Sequence, residues 1–229
     1  MDLDLQDRVF IITDAEPGLG DVVASELETE GARVVRSTSS NRAETDGLTL
    51  VARAEAEWGR LDGGLVFVPA SEAGSVHDVR DDEWARGFET TFLHVVDTLR
   101  QISRALPAGG SLVVVFESAI HEPAPERSMI GDAFGRGLAT VVLQMAEELG
   151  PRGIRTNAIL MGPLAGNREQ PGRHAEPTHA TRWHTEAIPL RRYGTHQEFA
   201  RVAAFVLSPA ASYISGTLLP VDGGWGRHG

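Results

Sequence analysis

Ser118, His121 and Glu122 stand close together in the segment ESAIHEP, and a hydroxyl, an imidazole and a carboxylate are the raw material of proton transfer. Glu117 and Asp132 add two more carboxylates nearby, so a working base would come from His121, Glu117, Glu122 or Asp132. Taken singly, a loop histidine is ordinarily solvated, a serine at a strand end ordinarily serves structure, and Asp132 suits the start of its helix. A second constellation is Thr13, Gly18 and Gly20 in TDAEPGLG, a glycine turn that lets bare backbone N–H groups face an anion where a helix begins. Asp14 and Glu16 work against an anion there. A carboxylate about 5 Å from a phosphate charge costs on the order of 3 kcal/mol at an effective dielectric near 20, a weakening of about a hundredfold. The same carboxylates would suit the free helix amides, and Pro17 suits a first helical turn. His174, His179 and His184 are loosely spaced and no cysteine supports them, so no metal site is expected.

These residues need a scaffold, and the hydropathy pattern describes one. RVFIIT (8–13), GARVVRS (31–37), GGLVFVPA (63–70), GSLVVVFES (110–118), GIRTNAIL (153–160) and GTLLPVDGG (216–224) read as strands. Helical periods lie between them. Leu19, Val22, Val23 and Leu27 mark the first, LTLVARAEAEWG the second, residues 82–105 a long third, and residues 196–207 the last. Phe134, Leu138, Val141, Val142, Met145 and Leu149 mark another, whose start is SMIGDAFGRGLAT. Strands alternating with helices predict a Rossmann-type doubly wound parallel sheet in three α/β/α layers, one domain over residues 1–229. Residues 162–190, rich in Gly, Pro and His, have the length of a loop or lid.

Net charge −11 and a pI near 5.2 argue against nucleic acid or an anionic membrane as partner. The start MDLDLQDRVFIIT does not read as a signal peptide, and no apolar run reaches the roughly 18 residues of a membrane span. A cytoplasmic protein is the expectation.

The order of elements, the T-x4-G-x-G spacing at Thr13, Gly18 and Gly20, GRLD at 59–62, ELGPRGIRTNAI at 148–159 and YISGTLLPVDGG at 213–224 together resemble the short-chain dehydrogenase/reductase (SDR) superfamily. The similarity spans almost the whole chain. It implies NAD or NADP at the carboxyl ends of the strands, a dimer or tetramer, and a catalytic Asn, Ser, Tyr and Lys. Counting from ELGPRG, the family's Tyr falls on Gly131 and its Lys on Gly135. Ser118 keeps the serine, and counting from Trp84 the Asn falls on Thr91. The chain's two tyrosines, Tyr193 and Tyr213, lie far downstream. Glycine has no ionisable group, so the family's usual proton transfer cannot run through these positions.

The cofactor positions that the resemblance implies are altered in the same way. Asp14 replaces the first glycine of the turn, and Ser37, Thr38 and Ser39 follow the second strand, with Arg36 and Arg42 as the only nearby cations for a 2′-phosphate. The family's third strand is missing between Ser37 and Leu48. VFVP (66–69) replaces NNAG, and Met161 replaces a proline ahead of Gly162. Thr13, Gly18, Gly20 and Gly162 are therefore read as vestigial cofactor residues. No cofactor is expected, with NAD(P) at most weakly held. Gly131 and Gly135, costly inside a helix, are read as packing positions.

The leading expectation is a degenerate superfamily member, a pseudoenzyme acting as an accessory or regulatory subunit. It would form a homo-oligomer, or a hetero-oligomer with an active homologue. The alternatives are a non-redox enzyme (lyase, isomerase, cyclase or dehalogenase type) using the emptied pocket on a small-molecule ligand, with Ser118 and His121 as catalytic candidates, and an atypical NAD(P)-dependent oxidoreductase with a relocated proton donor.

Overall fold

Six short runs rich in β-branched and other apolar residues pair side by side, because a strand buried on both faces must satisfy its backbone through its neighbours. They are β1 (Val9–Ile12), β2 (Arg33–Arg36), β3 (Gly63–Phe67), β4 (Ser111–Glu117), β5 (Arg155–Met161) and β6 (Leu218–Val221). All pair in parallel, in the order β2-β1-β3-β4-β5-β6. The computed structural model describes residues 2–15, 17–37, 46–69, 74–117, 128–165 and 185–226. Among these, nothing pairs outside β2.

The helices are α1 (Leu19–Thr29), α2 (Gly47–Trp58), α3 (Asp81–Gly87), α4 (His94–Ala105), α5 (Met129–Leu149) and α6 (His196–Leu207). α1 and α6 cover one face of the sheet, where Phe10, Val23, Leu27, Phe199 and Ala203 are buried. α2, α4 and α5 cover the other, around Ile11, Leu50, Leu99, Leu112, Leu138 and Val142. The long helix expected over 82–105 is continuous in path but not in register. A π-helical turn, Phe88–Leu93, joins α3 to α4. Periodicity does not reveal such a turn, since one extra residue leaves apolar positions on both sides in helical spacing.

The residues that make the sequence distinctive mostly hold these layers together. Asp62, only 4% exposed, accepts from the Val9 N–H at 2.8 Å and is paired by Arg60 and Arg8, fixing the starts of β1 and β3. Arg155 reaches from β5 to the last turn of α6 and donates to the carbonyls of Val206, Leu207 and Ser208 at 2.9–3.3 Å, and to that of Ile214 at 3.1 Å. Burial pulls its guanidinium down to about 10. Asn157, two residues on, donates to the same Ile214 carbonyl and accepts from the Thr217 N–H. RTN and YISGT are thus two halves of one hydrogen-bonded joint.

Candidate functional site

Chain direction along the sheet reverses between β1 and β3: β2 lies to one side of β1, and every later strand lies to the other. The carboxyl ends at such a reversal leave a crevice, because the following loops diverge to opposite faces. Thr13 closes the bottom of it. Its hydroxyl, 8% exposed as a residue, accepts from the Phe67 N–H at 2.9 Å, and its own N–H donates to Leu65. Thr13 therefore ties the two strand ends together.

The turn above Thr13 keeps its shape despite losing a glycine. Asp14 adopts φ 52°, a left-handed conformation that Asp tolerates better than most residues. Gly18, at φ 153°, is the N-cap of α1 and contributes no side chain; Pro17 precedes this cap and so lies outside the first helical turn where it was expected. A Cβ on Gly20 would stand 2.3 Å from the Asp14 carbonyl oxygen, so only glycine permits this close approach. The result is a phosphate-type backbone turn carrying a carboxylate. Asp21 adds a second one in the first turn of α1.

Arg36, the nearest described candidate for a 2′-phosphate, is held by both carboxylate oxygens of Glu28 and lies 3.5 Å from Asp21. The Glu28 carboxylate beside it raises the Arg36 guanidinium above its ordinary value. A phosphate at Arg36 would compete with this ion pair. Beyond it, Ser37 is 1% exposed, and its hydroxyl has no hydrogen-bond partner among the described residues. On the β3 side, Val66 is buried and Phe67 and Val68 half-buried, which leaves an apolar wall.

The other wall is α5. Ser128 caps it, accepting from the Gly131 N–H at 3.1 Å, so the helix starts five residues before Phe134, where its apolar period begins. Gly131 and Gly135 lie inside it; Gly135 and the adjacent Asp132 are buried, the carboxylate residue only 7% exposed. Close approach through glycine is seen at two neighbouring positions. A Cβ on Gly137 would meet the Phe92 ring at 2.8 Å, and one on Gly87 would meet Ile130 at 2.4 Å. Thr91, 2% exposed, sits in the π-helical turn that packs against α5. Ser118, His121 and Glu122 lie outside the described residues, as do Glu16, Thr38, Ser39, Arg42, His174, His179 and His184, most of the loop expected over 162–190, and the side chain of Glu117.

Gly162 belongs to the packing of β5 on β6. Its N–H donates to the Val221 carbonyl, and a Cβ there would overlap Asp222, which in turn accepts from Gly224 and Gly226. The sequence did not signal where Tyr193 would lie. A bridge between Leu164 and Gly194 brings it to the carboxyl end of the sheet on the β5–β6 side. A cleft of about 580 Å³, lined in part by Leu164, Leu190, Phe199 and Leu219, opens at that end. Tyr213 is fully exposed at the opposite end, before β6. Among the described residues no cluster of three His, Asp or Glu side chains could hold a metal ion, and no helix is long and apolar enough to cross a membrane.

Residues 42–226 match the family model described as enoyl-(acyl carrier protein) reductase. The chain is 27% identical to the 3-oxoacyl-(acyl carrier protein) reductase FabG of Pseudomonas aeruginosa, over 97% of this chain and 98% of that one. Among solved structures it superimposes with a TM-score of 0.82 on a short-chain dehydrogenase from Burkholderia cenocepacia in complex with NADP, at 22% identity over 96% of this chain and 98% of the other. It also superimposes, with a TM-score of 0.80 and 21% identity over the full length of both, on a short-chain oxidoreductase from Pseudomonas aeruginosa PAO1 described as containing an atypical catalytic center.

Proposed function

We propose that this chain, which belongs to the short-chain dehydrogenase/reductase superfamily, is a member without autonomous hydride-transfer activity that serves as an accessory or regulatory subunit. One observation carries this reading. The chain contains no lysine at all: its 21 Lys-plus-Arg residues are all arginine. A displaced or misaligned lysine therefore cannot restore the family's chemistry, and the helix positions in question are Gly131 and Gly135. Removing both side chains takes away the proton donor and the cation that would lower its pKa, while the fold-bearing residues Asp62, Arg155 and Asn157 remain. No dinucleotide is needed for such a role, and none is proposed as a bound cofactor.

Assembly is supported by a surface on the α5 side of the molecule. Phe88, Leu93 and Leu143 are 43%, 40% and 42% exposed. Phe88 belongs to an aromatic cluster in which Phe134 contacts Trp84, Phe88 and Phe92 with ring centroids 5.8–6.0 Å apart. We assign this face to a second copy of the chain or to an active homologue of the same fold.

The test is hydride transfer and cofactor binding measured together on the purified full chain. NADH and NADPH are titrated to millimolar concentration, and turnover is assayed on acyl-thioester and ketone substrates. No turnover is expected, and steady turnover above the buffer rate would overturn the reading. A second reading, an oxidoreductase with a relocated donor, is favoured only by the position of Tyr193 at the carboxyl end of the sheet. It requires turnover that disappears in Tyr193→Phe.

A further inference from the structure

β2 is an edge strand, and its two sides are not equivalent. Arg33 and Ser37 donate through their backbone N–H groups to the Arg8 and Ile12 carbonyls on the β1 side. Backbone groups alternate along a strand, so those of Val34 and Arg36 point the other way, off the sheet. Among the described residues nothing accepts from the Val34 or Arg36 N–H, and the Arg36 carbonyl takes one bond, from the Arg53 guanidinium of α2 at 3.1 Å. The arginine side chains of the strand are drawn to carboxylates of their own chain, Arg36 to Glu28 and Asp21 and Arg33 to Asp7. A groove of about 530 Å³ follows this edge between α1 and α2, with Glu28, Arg36, Arg53, Glu57 and Trp58 among its lining residues.

The helix beside the groove has a level for each strand residue. α2 is the crossover from β2 to β3 and so runs antiparallel to both. Arg53 touches Arg36 and is level with it. Glu57, four residues on, lies about 6 Å farther along the helix, and two strand residues span about the same distance, so Glu57 is level with Val34. A two-fold axis beside Val35 sets Val34 of each copy against Arg36 of the other. Each such pair exchanges two backbone hydrogen bonds in an antiparallel ladder. The same axis puts Glu57 of each copy level with Arg53 of the other. The register that sets Arg36 against Arg36 places like charges opposite one another and is disfavoured.

We propose that the outer edge of β2 is a self-pairing surface, at which two copies of this chain join as antiparallel edge strands and continue one six-stranded sheet into another. Glu57 of each copy pairs with Arg53 of the other and fixes the register. The inference goes beyond the accessory-subunit reading and does not depend on it. α5 packs over β4 and β5, away from β2, so the α5 face and the β2 edge can be occupied together.

The experiment measures the mass of the full chain by light scattering in a Leu93→Arg, Leu143→Arg background, which disables the α5 face. Val34→Pro, Glu57→Arg, and the swap of Arg53→Glu with Glu57→Arg are each added to it, with circular dichroism and thermal unfolding to show that every variant is folded. Val34→Pro removes an outward N–H and leaves the bonds to β1 in place. The background is expected to be a dimer and Val34→Pro a monomer. Glu57→Arg sets two pairs of like charges across the axis and should raise the dissociation constant at least tenfold, and the swap should recover most of that loss. A monomeric background overturns the proposal and leaves the accessory-subunit reading standing. A folded Val34→Pro that remains a dimer also overturns it. If Val34→Pro does not fold, Glu57→Arg and the swap decide: a dimer indifferent to both, or weakened equally by both, overturns the pairing.

Discussion

Arg155, on β5, donates to the carbonyl oxygen of Ser208 at 3.0 Å, across the end of α6. With Val206, Leu207 and Ile214 it serves four carbonyls, three of them at a helix C-terminus where the macrodipole favours a cation. Arg155→Met would strip the Leu207 carbonyl of this donor and leave those of Val206, Ser208 and Ile214 to the Ser111 hydroxyl, the Ala211 N–H and the Asn157 amide in a buried setting. Such groups cost about 1–3 kcal/mol each when orphaned, partly relieved by relaxation, so a loss of about 2–4 kcal/mol is expected. Urea unfolding measures it. Arg155→Lys should recover less than half, because a point ammonium cannot reproduce the fork. A loss under about 0.5 kcal/mol for the Met variant would contradict the joint described here.

Strands and helices were legible in the sequence, and one helix even to its ends. Residues 196–207 are helical as read, because Thr195 and Glu198 form a reciprocal capping box that stops fraying at the start. The strands were legible as apolar runs, yet each quoted run overshoots its strand by a residue or more at one end or both. Two things could not be read. The π-helical turn at Phe88–Leu93 preserves the apolar spacing on both sides and so leaves no mark on it. The commitment of Arg36 depends on Glu28, eight residues earlier on a helix that must first pack beside β2. The glycine turn was legible because its spacing is local, whereas its charge balance is a property of the packed layers.

Gly20 and Gly150 make a matched pair for testing the turn. Gly20→Ala forces a Cβ to within 2.3 Å of backbone, which no rotamer can relieve, so the loop must shift. A destabilisation of about 1–3 kcal/mol is expected from overpacking. Gly150, at the end of α5 with φ −50°, has nothing within 4 Å of a new Cβ. Gly150→Ala should be close to neutral, the gain in helix propensity being offset by crowding of the new Cβ against the ring of Pro151 in this helical backbone. Thermal unfolding of the two variants compares them directly, and equal effects would mean that the Asp14–Gly20 approach does not constrain the turn.

The start of α6 should be acid-sensitive. Arg192 hydrogen-bonds Glu198, as does the Thr195 N–H, and together they hold its carboxyl down at about 2 against an ordinary 4.5. A lowered folded-state pKa means stabilisation that is complete above about 4.5 and is lost as pH falls through about 2. The melting-temperature gap between the native chain and Glu198→Gln should therefore be largest near neutral pH and shrink steadily from pH 4.5 to pH 2. A gap that stays constant across that range would exclude the ion pair as its source.

The apolar face on the α5 side gives the prediction that bears most directly on function. Leu93 and Leu143 are exposed enough that replacing them with charge should leave the unfolding free energy nearly unchanged. At an interface, the same change would bury an unpaired guanidinium, at a cost of several kcal/mol per partner. Light scattering on the native chain should therefore report an oligomer, and Leu93→Arg with Leu143→Arg should halve its mass with native circular dichroism. If the native chain is a monomer alone, the same double variant should instead abolish its co-elution with an active homologue. An oligomer indifferent to both substitutions would place the interface elsewhere, and the accessory-subunit reading would then lose its structural support.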